Sequence, residues 1–466
     1  MKARTITQSC SKPYFRKSLE RMIETNPENC NYICDYILAE QSEINLKDST
    51  KEGKIKVLIW LSTFLGGKPF RHVDKQDVLS YLDSLRRPLS EDPNRKWIGS
   101  YNSRQMILNK FFRWLYNPDE PDQKKRITPP CMAGIRKLPR GQSSPYKPSD
   151  LWDSREHSIF LRYCPSKRDR CYHAMANDMS ARPHEILNLR IRDIQFKATK
   201  EGTQYAEVLI TGGKTKPRTL PLIESLPYVK DWISSHPTGG NPESWLFVSL
   251  SKNTYGSKLS YDGLSGHYKY YYKEKYFPRL LDNATIPEVD KSLIRNMLTK
   301  PWALYVFRHS ALTEKSLILK EAVLRDHAGW SNSSRMPEVY IHYFGTESSK
   351  SLLEAKGIMK SNVNAINVLA SRHCSNCAEP NKPDSRFCFR CRMVLTYDAY
   401  NETVESEKQN QERLTSVEEQ LRSTQHMLQQ LLAGLGNIRE QQQLNAVAQS
   451  LFSSGILKEI PLEDRK

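Results

Sequence analysis

The chain has 466 residues, 38% hydrophobic and 26% charged, with a formal net charge of +18. That length allows two to four domains with real cores. No run approaches a membrane span, and Met1-Lys-Ala-Arg-Thr-Ile-Thr-Gln lacks the apolar stretch of a signal peptide, so the expectation is a cytoplasmic, nucleoid-associated protein. The 70 lysines and arginines against 52 acids are not confined to one tail, which favours a polyanion over a membrane patch as partner.

Residues 1–116 form the first expected domain, read as helices from about residue 12. Ile33, Tyr36 and Ile37 share one side of a helix over Asn29 to Glu40. Ile55, Leu58, Ile59 and Leu65 do so over Lys51 to Leu65. Asp74 is a cap candidate for a helix carrying Val78, Leu79, Leu82 and Leu85. Ile107, Leu108, Phe111, Phe112 and Leu115 stripe a helix over Ser100 to Tyr116. With lysines and arginines between these apolar rows, the segment suits a DNA-clamping bundle. Residues 117–149 hold Pro118, Pro121, Pro129, Pro130, Pro139, Pro145 and Pro148 beside Lys124, Lys125 and Arg126. They read as an extended basic linker.

Residues 150–360 form the next expected domain. Helices are expected over Ser154 to Tyr163 and near Asp169 to Asp178, followed by a turn ending at Arg182 and a short helix with Ile186, Leu187 and Leu189 buried. Pro183 suits that helix's first turn. Gln204-Tyr-Ala-Glu-Val-Leu-Ile-Thr211, Gly212-Gly213 and Lys214-Thr-Lys-Pro-Arg-Thr-Leu-Pro221 read as a β-hairpin with a basic tip. Tyr268, Tyr270, Tyr271, Tyr272 and Tyr276 alternate with lysines, a pattern open to packing or to nucleic-acid stacking.

Arg182 in Ser180-Ala-Arg-Pro-His-Glu, Arg308 in Tyr305-Val-Phe-Arg-His309 and Tyr340 in Pro337-Glu-Val-Tyr-Ile-His342 occur in that order. Together they resemble the tyrosine recombinase (integrase) family, in motifs between residues 170 and 345 and in layout between 10 and 355. The Tyr-x-x-Arg-His box and the Met336-Pro-x-x-Tyr context look like archaeal members. The resemblance implies a mainly α fold with a small β-hairpin or sheet: a helical core-binding domain followed by a catalytic domain. It also implies transesterification at a DNA phosphodiester through a 3′-phosphotyrosyl intermediate, with no nucleotide or redox cofactor.

In that reading Tyr340 is the nucleophile, with Tyr343 as a rival. Arg182 and Arg308 offer forked, permanently charged donors to the phosphate. Lys214, or Lys216, protonates the leaving 5′-oxygen from the hairpin tip. Tyr305 stands where the family has histidine. It can donate to phosphate but is a poor base near neutral pH, which leaves the base open. Trp330 in His327-Ala-Gly-Trp330 occupies the usual histidine or tryptophan position, one residue further from the nucleophile than usual. Glu185 orients an arginine or the hairpin lysine, and His309 buttresses the site.

Cys374-x-x-Cys377 and Cys388-x-x-Cys391 are two thiolate knuckles that close one tetrahedral shell. They point to a structural Zn2+ in a ribbon spanning 370–395. Over 405–445, Leu414, Val417, Leu421, Thr424, Leu428, Leu431, Leu435 and Ile438 fall on successive a and d positions of a heptad repeat, and 446–466 form a tail. That helix either self-associates, parallel or antiparallel, meets another coiled-coil partner, or docks on its own domain.

The expected partners are double-stranded DNA and further copies of the chain, four of them for strand exchange between two duplexes. The reading is site-specific recombination, by integration or excision. The alternatives are an inactive DNA-bridging protein of the same fold and strand relaxation of the type IB topoisomerase kind.

Overall fold

The computed structural model describes residues 13–44, 48–93, 95–139, 146–200, 202–211, 217–334, 336–342, 368–435, 446–447, 449–451 and 453–454. The chain divides into two compact units, Met1–Pro145 and Tyr146–Lys466. No helix among the described residues is long and apolar enough to cross a membrane.

The described residues of the first unit include five helices: α1 (Pro13–Thr25), α2 (Pro27–Ile44), α3 (Asp48–Phe64), α4 (Lys75–Asp83) and α5 (Trp97–Tyr116). Asp74 caps α4 as its sequence suggests, accepting from the Asp77 N–H at 3.0 Å. The apolar stripe of α5 is buried, and Phe111 meets Tyr36 and Phe70 edge-on at 5.3 and 5.0 Å. Asn29 ties the bundle internally. Its Nδ2 donates to Ser62 Oγ and Lys68 O, and its Oδ1 accepts from the Phe70 N–H.

The expected linker over 117–149 needs correction in its described part, 117–139. Cys131, Met132 and Ile135 are buried in the first unit's core. Arg126 is also buried, its Nη2 donating to Glu43 Oε1 at 2.6 Å. The prolines do limit helix to one turn, Pro130–Met132. The apolar residues between them are nevertheless taken up by the bundle, so Arg126 is not free for a phosphate backbone.

The second unit is built on α7 (Lys167–Met179), in which 10 of 13 residues are buried. Ser166 caps its start, and Ser180 ends it in the left-handed region at φ 47°. Around it lie α6 (Ser154–Tyr163), α8 (Pro183–Leu187), α9 (Leu226–Ser234), α10 (Tyr261–Gly266), α11 (Glu288–Thr299), α12 (Leu304–Ser316), α13 (Glu321–Ala328) and α14 (Met336–His342). The expected hairpin forms from β2 (Gln204–Ile210) and β3 (Arg218–Leu222), paired from Ile210↔Arg218 to Ala206↔Leu222. A third strand, β1 (Ile194–Ala198), pairs antiparallel with β2 to give the order β1-β2-β3. Of its residues only Ile194 is buried, so it shows no inward alternation in sequence.

The tyrosine-rich stretch after α10 is π-helical over His267–Tyr276. Tyr268 and Tyr272 are buried there and pack on Phe160, whereas Tyr270 and Tyr271 stay exposed.

Toward the C-terminus, β4 (Arg372–His373) pairs with β5 (Pro380–Asn381). This four-cysteine module docks on α9 through Glu379–Lys230 and Lys382–Asp231 ion pairs, and Asp231 also meets Lys167 at 2.8 Å. The long helix α15 (Tyr397–Leu435) follows. From 404 to 430 its residues are all exposed, so over that stretch it packs on none of the described residues.

Candidate active site

The C-terminal end of α13 organises the site. A helix leaves its last carbonyls without internal partners, and that end carries partial negative charge. Here three consecutive carbonyls each receive a different guanidinium. Arg218 Nε donates to His327 O at 3.1 Å, Arg308 Nη2 to Ala328 O at 2.9 Å, and Arg182 Nη2 to Gly329 O at 3.4 Å. Gly329 makes the convergence possible by closing α13 at φ 65°, a conformation glycine adopts without strain.

Arg308 is buried and also donates to Ser180 O at the end of α7. Burial and the neighbouring Arg182 lower its pKa to about 10, with Arg218 acting in the same direction and Tyr340 and Glu185 opposing. It therefore stays charged at neutral pH.

One carboxylate serves this group. Glu185 is buried on α8, with Oε1 2.9 Å from Arg182 Nη1 and Oε2 2.8 Å from Arg218 Nη2. Burial alone would raise its pKa. The hydrogen bonds from Arg218 and the Arg182 N–H, with both guanidinium charges, outweigh that and hold it at about 2. Among the described residues, three guanidiniums face one carboxylate, a local excess of two positive charges. Arg218 Nη1 is buried with no hydrogen-bond partner.

Tyr340 lies beside this cluster, 1% exposed. Its hydroxyl is 2.9 Å from His309 Nδ1. Its ring is stacked between His309 and Trp330, with centroids 5.6 and 5.3 Å away. Burial and the adjacent Arg308 push the His309 pKa down to about 4, so the imidazole is neutral at pH 7 and can accept the phenolic proton's hydrogen bond. The other face of His309 meets Tyr146 edge-on at 5.0 Å.

Of the residues singled out from sequence, Arg182, Arg308, Trp330 and Tyr340 come together. Tyr305 is half-buried on α12. Its ring lies 6.5 Å from Tyr261, and among the described residues it makes no hydrogen bond to Arg308, His309 or Tyr340. Lys214 and Lys216 lie outside the described residues, as do Tyr343 and Ile438. Glu185 does orient Arg182. Its second partner, Arg218, was missed: the arginine of Lys-Pro-Arg-Thr-Leu opens β3 next to the basic tip, and only the folded hairpin brings it to α13. His309 was assigned to support, yet it is the side chain on the Tyr340 hydroxyl.

The four cysteines 374, 377, 388 and 391 form a second site, their Sγ atoms all within 4.8 Å of one another. Three of the separations are 3.4 to 3.6 Å. A tetrahedral ion with bonds of about 2.3 Å requires edges of roughly 3.8 Å, so the cage is of the right size. Asn381 Nδ2 supports it from 3.6 Å on Cys388 Sγ.

No protein-family model matches the chain, and no curated protein does. Among solved structures it is similar to the Tn1549 transposon integrase in complex with transposon right-end DNA, at 14% identity and a TM-score of 0.44, covering 70% of this chain and 99% of that one. It is also similar to a lambda integrase dimer bound to a core site (14%, 0.44, 69% and 79%) and to the XerH site-specific recombinase bound to its palindromic difH substrate (15%, 0.46, 76% and 94%). These are integrases and recombinases. At TM-scores below 0.5 the likeness is loose and supports no archaeal affiliation, and the chemistry of this chain rests on its own geometry.

Proposed function

We propose that this chain cuts and rejoins DNA by tyrosine transesterification, as a site-specific recombinase of the tyrosine family. The observation that carries the reading is the pairing of a phenol with a neutral imidazole beside three converged guanidiniums that share one carboxylate. Two uncompensated positive charges at a mostly buried site are costly without an anion. A backbone phosphate supplies that anion and gains charge on its non-bridging oxygens in the transition state, where fixed donors matter most.

Tyr340 Oη attacks phosphorus, forming the P–O bond of a 3′-phosphotyrosine and breaking the bond to the 5′-oxygen. The phenolic proton passes to His309 Nδ1. The entering phosphate favours this, since a nearby negative charge raises an imidazole pKa. Lys214 on the hairpin tip gives the 5′-oxygen its proton, with Lys216 as the alternative. Tyr305 helps position the phosphate, and Trp330 holds the tyrosine ring. Tyr340 is 1% exposed, so DNA binding must shift Trp330 or α14 to admit the phosphate. Reversal with a new 5′-hydroxyl joins strands without a nucleotide cofactor.

Exchange between two duplexes breaks four strands, hence four protomers on double-stranded DNA, to which the net charge of +18 is suited. We assign the four-cysteine cage to one structural Zn2+, held by Cys374, Cys377, Cys388 and Cys391. Four protein ligands leave no open position for catalysis.

The test is a nicked suicide substrate carrying a candidate attachment sequence. Wild type should form a covalent protein–DNA adduct, and Tyr340→Phe should form none. An adduct retained by Tyr340→Phe would move the nucleophile elsewhere. Salt-sensitive binding with no adduct under any condition favours a DNA-bridging protein, to which the buried state of Tyr340 in this structure is also suited.

A further inference from the structure

We infer that α15 is one strand of a parallel four-stranded coiled coil that assembles four copies of this chain before DNA is bound. In this helix of 39 residues the side chains from 404 to 430 are all exposed and pack on none of the described residues. Helices in proteins draw most of their stability from packing an apolar face, and this stretch has none packed. Its apolar residues are nevertheless in register: Leu414, Val417, Leu421 and Leu428 are 63, 52, 59 and 54% exposed and fall on one heptad seam.

The choice of residues along the seam sets the number of strands. Leucine holds the a positions at 414, 421 and 428, and the sequence continues it at 435. The d positions are β-branched at Val417 and Thr424, and leucine at 431. Leucine at a with β-branched residues at d shifts the preference from two strands to three or four, and of these the wider bundle also covers the flanking e and g positions. The flanks agree with a wide interface. Gln420 and Met427 at g, and Gln425 at e, carry no charge and can be partly covered.

The charged flanking positions set direction. Arg413 is at g and Glu418 at e, five residues on, which is the spacing at which g meets e of a neighbouring parallel helix. An antiparallel neighbour would reverse the sequence and bring Arg413 to the Met427 end. The chain thus complements itself, and a second copy, not a foreign helix, is the occupant.

This assembly is independent of the catalytic reading, although four protomers are also what that reading requires. The experiment is sedimentation equilibrium of the full-length, zinc-replete chain without DNA. The expected mass is about 216 kDa, four times the 54.0 kDa chain. Leu421→Asp with Leu428→Asp, both on exposed positions, should give monomers with the melting of the body unchanged. Arg413→Glu should weaken assembly by about tenfold, and adding Glu418→Arg should restore it.

A monomeric or two-chain wild type, a mass indifferent to the two aspartates, or no rescue by the double charge reversal overturns the inference. Tyr340→Phe, which removes the adduct, should leave the mass unchanged, so failure of assembly and failure of catalysis are read separately.

Discussion

At the scale of single residues, the site is a problem in charge balance that one carboxylate meets only in part. Among the described residues Glu185 is the one carboxylate beside Arg182, Arg218 and Arg308. Glu185→Gln keeps the shape but leaves the guanidiniums unbalanced, and breaking a buried pair in this way costs about 3 kcal/mol. Guanidinium denaturation should register that loss, and an unchanged midpoint would remove Glu185 from the balance. Arg218 acts through Glu185, so Arg218→Ala should slow adduct formation by about a hundredfold with little change in DNA affinity, and Arg218→Lys should recover part of it. Equal losses in binding and cleavage would make it a simple DNA contact. His309 is tested by His309→Ala, which should slow cleavage by roughly 100- to 1,000-fold. Because its pKa is held at about 4, the wild-type rate of the free site should stay level as pH falls through 6.5 and decline only near 4. A decline centred at 6.5 in the second-order rate of adduct formation, measured with DNA limiting, would assign the proton to another group.

At the scale of elements, the docked four-cysteine module is the part whose stability can be removed selectively. Four clustered cysteines flank β4 and β5, and Glu379 and Lys382 from this module grip Lys230 and Asp231 on α9. Metal analysis should find one zinc per chain. Chelation, or Cys388→Ser, should unfold the module and lower the melting temperature of the second unit by several degrees through the lost α9 contacts. A melting curve indifferent to chelator would mean that the cage is empty in solution. This module was legible because thiolate spacing is itself the geometry of the site. The helix α4 was legible for a like reason, since Asp74 marks its start and apolar spacing marks its face. The strand β1 was not, because an edge strand with one buried residue carries no alternation. The burial of Arg126 was not legible either, because a proline-rich segment looks the same whether solvated or packed. Arg182, Arg308 and Tyr340 could be picked from motifs. That Arg218 and His309 join them depends on the carbonyls of α13 and the rotation of α12, which no local pattern encodes.

For the whole molecule, the decisive quantity is how many histidines the fold holds uncharged. His157 and His173 form a buried pair with ring nitrogens 2.8 Å apart. Burial, with Lys315 and Lys300 nearby, lowers His157 to about 3, and burial with His157 lowers His173 well below 6.5. Burial likewise takes His309 and His327 to about 4, helped by Arg308 at both and by Lys315 and Arg218 at His327. Each folded value lies below the unfolded one near 6.5, so the unfolded chain binds more protons across the interval. Their contribution to stability is therefore full above about pH 6.5 and is lost as pH falls toward 4 and then 3. Glu185 adds to the loss only lower down, between about 4.5 and 2. A fully buried histidine in this window removes up to ~1.4 kcal/mol per pH unit. The full chain should thus melt at a nearly constant temperature from pH 8 to 7 and then lose stability steeply from pH 6 to 4. His157→Gln, which keeps a polar neighbour for His173 but cannot be protonated, should make that descent shallower while lowering stability at pH 7. If calorimetry gives the same melting temperature at pH 7 and pH 4, the imidazoles are not held neutral, and the neutral acceptor assigned to His309 loses its physical basis with them.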